Sequence, residues 1–224
     1  MLFLKSVRII LLLLSISSSL ASVAQKQKIL VVPYTRFQFV SEYQLAELAS
    51  VNNVSSQEVY TEYTIGLKTA LTNYKSEQFE FEMISELDYL TIKKQVKYDI
   101  EKFNGRKYNS SNLSILEKEK LTEILAQNNA QFIMFVNWYA IQKNVHTTYT
   151  GDNNKRNPFS LHKLDFDVYN SKKEKIIGKG NVKLYCGDFP SATMVEEKCL
   201  KASSLTPCYN QLIADLIAEL SANK

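Results

Sequence analysis

The sequence holds few residues that interrupt regular structure: six glycines and four prolines in 224 residues. Flexible linkers and low-complexity tracts depend on such residues, so one domain with its own core is expected. Charge of one sign is also scarce. The formal net charge is +4, and setting aside Lys5 and Arg8 near the N-terminus leaves 25 basic against 23 acidic residues. Basic and acidic residues are interleaved, which argues against a nucleic-acid partner. After the first 24 residues no apolar stretch approaches the length of a transmembrane helix.

Chemical signatures are missing as well. There is no Gly-rich phosphate loop and no Gly-x-Ser-x-Gly elbow. Asp152, Asn153 and Asn154 hint at calcium, but the twelve-residue loop with its terminal Glu is absent. The two histidines, His146 and His162, stand apart from the three cysteines, Cys186, Cys199 and Cys208, and the spacing fits no zinc site. No catalytic set, cofactor or metal is expected.

What is present begins with a leader. Lys5 and Arg8 precede the apolar run Ile9–Leu14 and a small-residue tail, Ser15–Ala24, in which Ser22-Val23-Ala24 fits a cleavage site. Residues 1–24 read as a secretory signal peptide and 25–224 as a single exported domain. No cysteine follows the leader closely, so a lipid anchor is not expected.

The stretch Gln131–Lys143 reads as the centre of a sheet. Phe132–Val136 is an unbroken apolar run, and the residues after it alternate. Before it come a strand at Lys28–Tyr34, a long connection at Arg36–Val54 and an amphipathic helix over Ser56–Tyr74. A strand follows at Phe79–Met83, then a helix from Ser85 to Phe103 with the stripe Tyr89, Ile92, Val96, Ile100 and Phe103. Arg106–Asn112 reads as a polar loop, and Leu121, Ile124 and Leu125 mark a third helix. After the central strand, His146–Pro158 reads as a turn region. Two further strands with one wet face follow, at Leu164–Val168 and Ile176–Leu184. Gly178 and Gly180 suggest a bend or something packed closely over them. A helical stripe from Tyr209 to Leu220 closes the chain. The expected fold is mixed α/β, with a central mixed sheet of about five strands. Its first half is strand–helix crossovers and its second an antiparallel meander, closed by a C-terminal helix.

Several side chains are candidates for a role. In an exported protein two cysteines can pair, and Cys199 with Cys208 would close a short loop. Thirteen tyrosines are an excess, and tyrosine suits interfaces, so Tyr34, Tyr43, Tyr60 and Tyr139 form a candidate partner surface. His162 lies near Asp165 and Asp167, the residue types of a hydrolytic pair, but strand alternation sends both aspartates to the opposite, solvated face.

The opening KILVVPY, the amphipathic Ser56–Tyr74, the strand from Phe79, and the step from Asn128-Asn129-Ala130 into Phe132–Val136 resemble one group of bacterial envelope domains. So does DFDVYNSKKEKIIGKG, a strand ending in Val-Tyr before a polar turn and a Gly-containing strand. The group is that of the TolB N-terminal domain, CsgG and LpoB. The resemblance implies a periplasmic or outer-membrane-associated α/β module that binds proteins, with an extracellular location as the alternative. The expected function is thus a non-catalytic envelope module whose partner is another envelope or secreted protein. The alternatives are a secreted hydrolase using His162 or His146, and a homo-oligomeric assembly subunit that associates through Arg36–Val54.

Overall fold

Strand β6 is the axis of the molecule. In the computed structural model, which describes residues 25–150, 153–184 and 198–222, it runs 19 residues, Phe132–Thr150. Its first residues are flanked on one side by β1 (Gln27–Val32) and on the other by β7 (Asn153–Asn170). Both faces of Ile133–Val136 are covered, as the continuous apolar run demands. The sheet order is β3-β1-β6-β7-β8, where β3 is Phe79–Met83 and β8 is Lys175–Lys183. β1 is parallel to both β3 and β6, whereas β6, β7 and β8 form an antiparallel meander. The mixed α/β fold is therefore the one the sequence implied, with a C-terminal helix in place.

One face of the sheet packs against three helices: α1 (Leu45–Asn52), α2 (Val59–Asn73) and the C-terminal α5 (Tyr209–Ala222). The opposite face takes α3 (Glu86–Ile92) and α4 (Lys118–Gln127) through Ile92, Leu121, Ile124 and Leu125. A bulge at Asn137 shifts the register of β6 against β7. It moves the inward parity from Met134 and Val136 to Tyr139 and Ile141, all four on the α2/α5 side.

Arg36–Val54 is structured rather than a free connection. It holds a 3-10 turn at Arg36–Gln38, a short strand β2 (Phe39–Ser41) parallel to β6, and α1. Phe39, Tyr43, Leu48 and Ala49 are buried in the main core. Phe37 and Val40, by contrast, are exposed.

The expected helix from Ser85 to Phe103 is replaced after one short helix by a hairpin. β4 (Lys97–Phe103) pairs with β5 (Arg106–Asn112) across the two-residue turn Asn104-Gly105. Both turn residues have positive φ, 46° and 80°, which an Asn-Gly pair adopts readily and which matches strand twist. Ile100, counted in the helical stripe, is exposed. Arg106–Asn112 is accordingly a strand and not a loop. His146–Pro158 is likewise mostly strand: β6 and β7 continue as a paired ribbon from Asn144 opposite Phe159 to Thr150 opposite Asn153.

The β4–β5 hairpin lies against the main sheet. A Cβ added at Gly180 would stand 2.0 Å from Tyr108 Cβ, and one at Gly178 would stand 2.8 Å from Phe103 Cγ. The two glycines are thus the gap into which the hairpin fits, as the close-packing alternative foresaw. Among the described residues no helix is long and apolar enough to cross a membrane.

Candidate functional site

The two aspartates of β7 meet the protein, not solvent. Asp167 is fully buried, and the hairpin covers it. Its Oδ2 accepts from the Ser111 N–H at 2.7 Å, Ser111 Oγ at 2.9 Å, Ser110 Oγ at 3.0 Å and Asn137 Nδ2 at 2.8 Å. Its Oδ1 accepts from the Tyr108 hydroxyl and faces Lys175 Nζ at 3.4 Å. Asp165 accepts from the Asn109 N–H at 2.9 Å, Asn109 Nδ2 at 2.7 Å and the Asn181 N–H at 2.6 Å. This corrects the solvated-face expectation. Strand alternation was right about which face they take; the hairpin that covers that face was not foreseen.

Lys175 completes the cluster. It also donates to Glu101 Oε2 at 2.9 Å and Ser110 Oγ at 2.6 Å. Burial disfavours its charge, but the hydrogen bond to Glu101 and the charge of Asp167 outweigh that and raise its pKa above the ordinary lysine value. The same lysine holds the Glu101 carboxyl below its ordinary range, against the opposing effect of partial burial. With its lone pairs taken by this many donors, Asp167 has no vacancy for a substrate proton or a metal. Among the described residues no group of three His, Cys, Asp or Glu side chains is arranged to hold a metal ion. The cluster clips hairpin to sheet.

His162 points the other way, into the aromatic core. It is 2% exposed, and burial lowers its pKa to about 4, the Cys199 carbonyl opposing only part of the shift. Nε2 lies 2.8 Å from the Cys199 carbonyl, which can only accept, so Nε2 carries the proton. Nδ1 is left to accept from the Tyr139 hydroxyl at 2.8 Å. Ser160 Oγ is 3.0 Å from Nε2, yet it meets the protonated nitrogen and itself donates to the carbonyls of Lys198 or Cys199. The ring therefore cannot take the serine proton, and no carboxylate is among its partners. The arrangement ties Lys198 and Cys199, both at positive φ, to β7. The side chain of His146 lies outside the described residues.

The four tyrosines do not form one surface. Tyr139 is fully buried, in ring contact with Tyr34 at 5.0 Å and Tyr63 at 5.7 Å. It cannot reach a partner, because the parity change at Asn137 turns it into the core. Tyr43 is buried at the foot of the β6–β7 ribbon, its hydroxyl on the Phe159 carbonyl at 3.2 Å and Lys143 Nζ 5.3 Å above its ring. Tyr34 and Tyr60 do come together, lining one cleft. The expected Cys199–Cys208 bridge is not made: Cys208 is disulfide-bonded, whereas Cys199 keeps its thiol and has its carbonyl committed to Ser160 and His162. Cys186 lies outside the described residues, as does the leader.

Beyond Lys143 and Ser160 the β6–β7 ribbon leaves the sheet. β2 pairs β6 as far as Ile141, and β8 pairs β7 no farther out than Lys163. From Asn144 to Thr150 the ribbon extends about 23 Å at the rise of an extended strand. Among the described residues its two outer edges make no backbone hydrogen bond to another strand over this length.

No protein-family model and no curated protein matches this chain. Among solved structures the chain is similar to a protein from Helicobacter pylori solved under the name neuraminyllactose-binding hemagglutinin homolog. That match has 8% identity over 88% of this chain and 83% of the other, with a TM-score of 0.33. A likeness this loose does not bear on function.

Proposed function

We propose that this chain is an exported, non-catalytic protein-binding or assembly module of the bacterial cell envelope, periplasmic or outer-membrane-associated. The observation that carries the reading is the β6–β7 ribbon. Among the described residues no third strand lies beside its outer length; two-stranded ribbons are marginal in water, and unpaired strand edges are templates for another chain. A ribbon held out from a well-packed sheet suits capture of a partner's strand or surface. Export rests on the leader at residues 1–24. The absence of turnover is supported by the saturation of Asp167 and by the orientation of His162, whose single lone pair is spent on Tyr139.

The test replaces Val145–Pro158 by Asn-Gly between Asn144 and Phe159. The intact mature protein is expected to capture a partner from its envelope fraction, and the shortened one to lose it. Capture undiminished by the replacement defeats the assignment to the ribbon. The same edges also suit a second copy of this chain. That reading predicts an oligomer in light scattering that becomes a monomer on shortening.

A further inference from the structure

The carboxyl ends of β1 and β3 open onto a cleft of about 450 Å³, lined by Tyr34, Arg36, Tyr60, Thr64, Lys68 and Glu86 among others. Clefts of this size accommodate small ligands. In open α/β sheets ligands bind outside the carboxyl ends of strands, near the strand from which crossovers pass to opposite faces. β1 is that strand here. The crossover from β1 to β3 packs α2 on one face, and the crossover from β3 to β6 packs α4 on the other. The space beside β6 is taken by β2, which pairs with Tyr139–Ile141, and this leaves the cleft above β1 and β3.

Two observations point to a ligand. Tyr34 is 2% exposed, and its hydroxyl completes no hydrogen bond among the described residues, with Thr64 beside it. A buried hydroxyl is normally paired, since an unpaired one forfeits its hydration without return. The second is charge. Arg36 and Lys68 are exposed and enter no ion pair among the described residues, and a single carboxylate, Glu86, shares the lining with them. Tyr60, Met83 and Tyr89 supply apolar and aromatic surface beside these cations.

We infer that the cleft binds a carboxylate carried on a compact apolar or aromatic body. Arg36 and Lys68 receive the anion, Arg36 with the fork geometry that suits a carboxylate. Tyr34 donates its unspent hydroxyl. Tyr60, Met83 and Tyr89 hold the body. Such a carboxylate belongs either to a free small acid or to the C-terminus of a peptide. This site is separate from the ribbon and stands whether or not the ribbon binds a partner.

The experiment follows the ring signals of carbon-13-labelled tyrosine in the mature protein. Three probes are titrated to millimolar concentration: 3-phenylpropionate, a short peptide ending in phenylalanine with a free carboxylate, and the same peptide amidated. Tyr34, Tyr60 and Tyr89 are expected to shift with one of the acids, while Tyr169 and Tyr209 stay in place. Arg36→Gln and Lys68→Gln are each expected to weaken binding about tenfold, the loss of one charge-assisted hydrogen bond. Both side chains are exposed, and unchanged Tyr139 signals verify the fold. Binding of 3-phenylpropionate but not the peptides assigns a free acid; binding of the free-ended peptide assigns a chain terminus. The inference is overturned by no response to any probe, by equal affinity for acid and amide, or by undiminished affinity in the Arg36→Gln/Lys68→Gln double variant.

Discussion

Asn137 Nδ2 donates to Asp167 Oδ2 at 2.8 Å, joining the bulge of β6 to the buried carboxylate of β7. The bulge thereby serves two faces at once. It turns Tyr139 inward on the helical side and places an amide under the hairpin on the other. The hairpin is held by this polar centre more than by apolar contact, since β4 is exposed along most of its length.

Removing the centre should therefore release the hairpin. Asp167→Ala leaves the Ser111 N–H, Asn137 Nδ2 and the Tyr108 hydroxyl buried without their acceptor and Lys175 with Glu101 as its remaining carboxylate, and breaking such a buried pair costs about 3–5 kcal/mol. Urea unfolding is expected to show that loss, and hydrogen exchange is expected to rise first in Arg106–Asn112. A loss below about 1 kcal/mol would make the cluster incidental.

Acid should weaken the fold through His162. Its ordinary pKa is 6.5 and its folded value is lowered to about 4 by burial. Between those values the unfolded chain binds a proton that the folded chain does not. Stability from this group is thus complete above pH 6.5, falls as pH drops toward 4, and falls no further below that. The shift corresponds to about 3 kcal/mol. Denaturation followed from pH 7 to 4 should show this slope, and His162→Gln should flatten it while lowering stability at pH 7.

Gly180→Ala should destabilise by about 1–3 kcal/mol, the usual cost of overpacking. The added methyl meets Tyr108 Cβ, an atom fixed close to the backbone of β5. If the cause is the hairpin, Gly180→Ala will cost less in a Tyr108→Gly background than in the parent, a coupling read from the double-mutant cycle. No coupling would place the strain elsewhere.

Shortening the ribbon should leave stability almost untouched. Among the residues whose side chains are described, the core clusters end at Ile141 on β6 and at Phe159 on β7. Thermal unfolding of the Asn144–Asn-Gly–Phe159 protein is expected within a few degrees of the parent. A large drop would show that the ribbon is part of the folded core.

Periodicity carried much of the architecture. The apolar run Phe132–Val136 could only be a strand covered on both sides, and the stripe from Tyr209 to Leu220 could only be a helix against a core. The hairpin was misread because Tyr89, Ile92, Val96, Ile100 and Phe103 satisfy a helical spacing as well as a turn followed by a strand. The signal that separates them is Asn104-Gly105, which can end a helix but is also the strongest two-residue hairpin turn. Tyr139 departs from the expected surface for a different reason: a one-residue bulge at Asn137 inverts every side chain after it on β6, and no local pattern announces it.

Fold class, the central strand and the C-terminal helix followed from residue order alone, because apolar spacing records which face of an element is covered. The saturation of Asp167, the proton position on His162, the reach of the ribbon and the meeting of Tyr34 with Arg36 and Lys68 did not. Each depends on residues distant along the chain being brought within a few ångströms, and that proximity arises from sheet register and crossover topology.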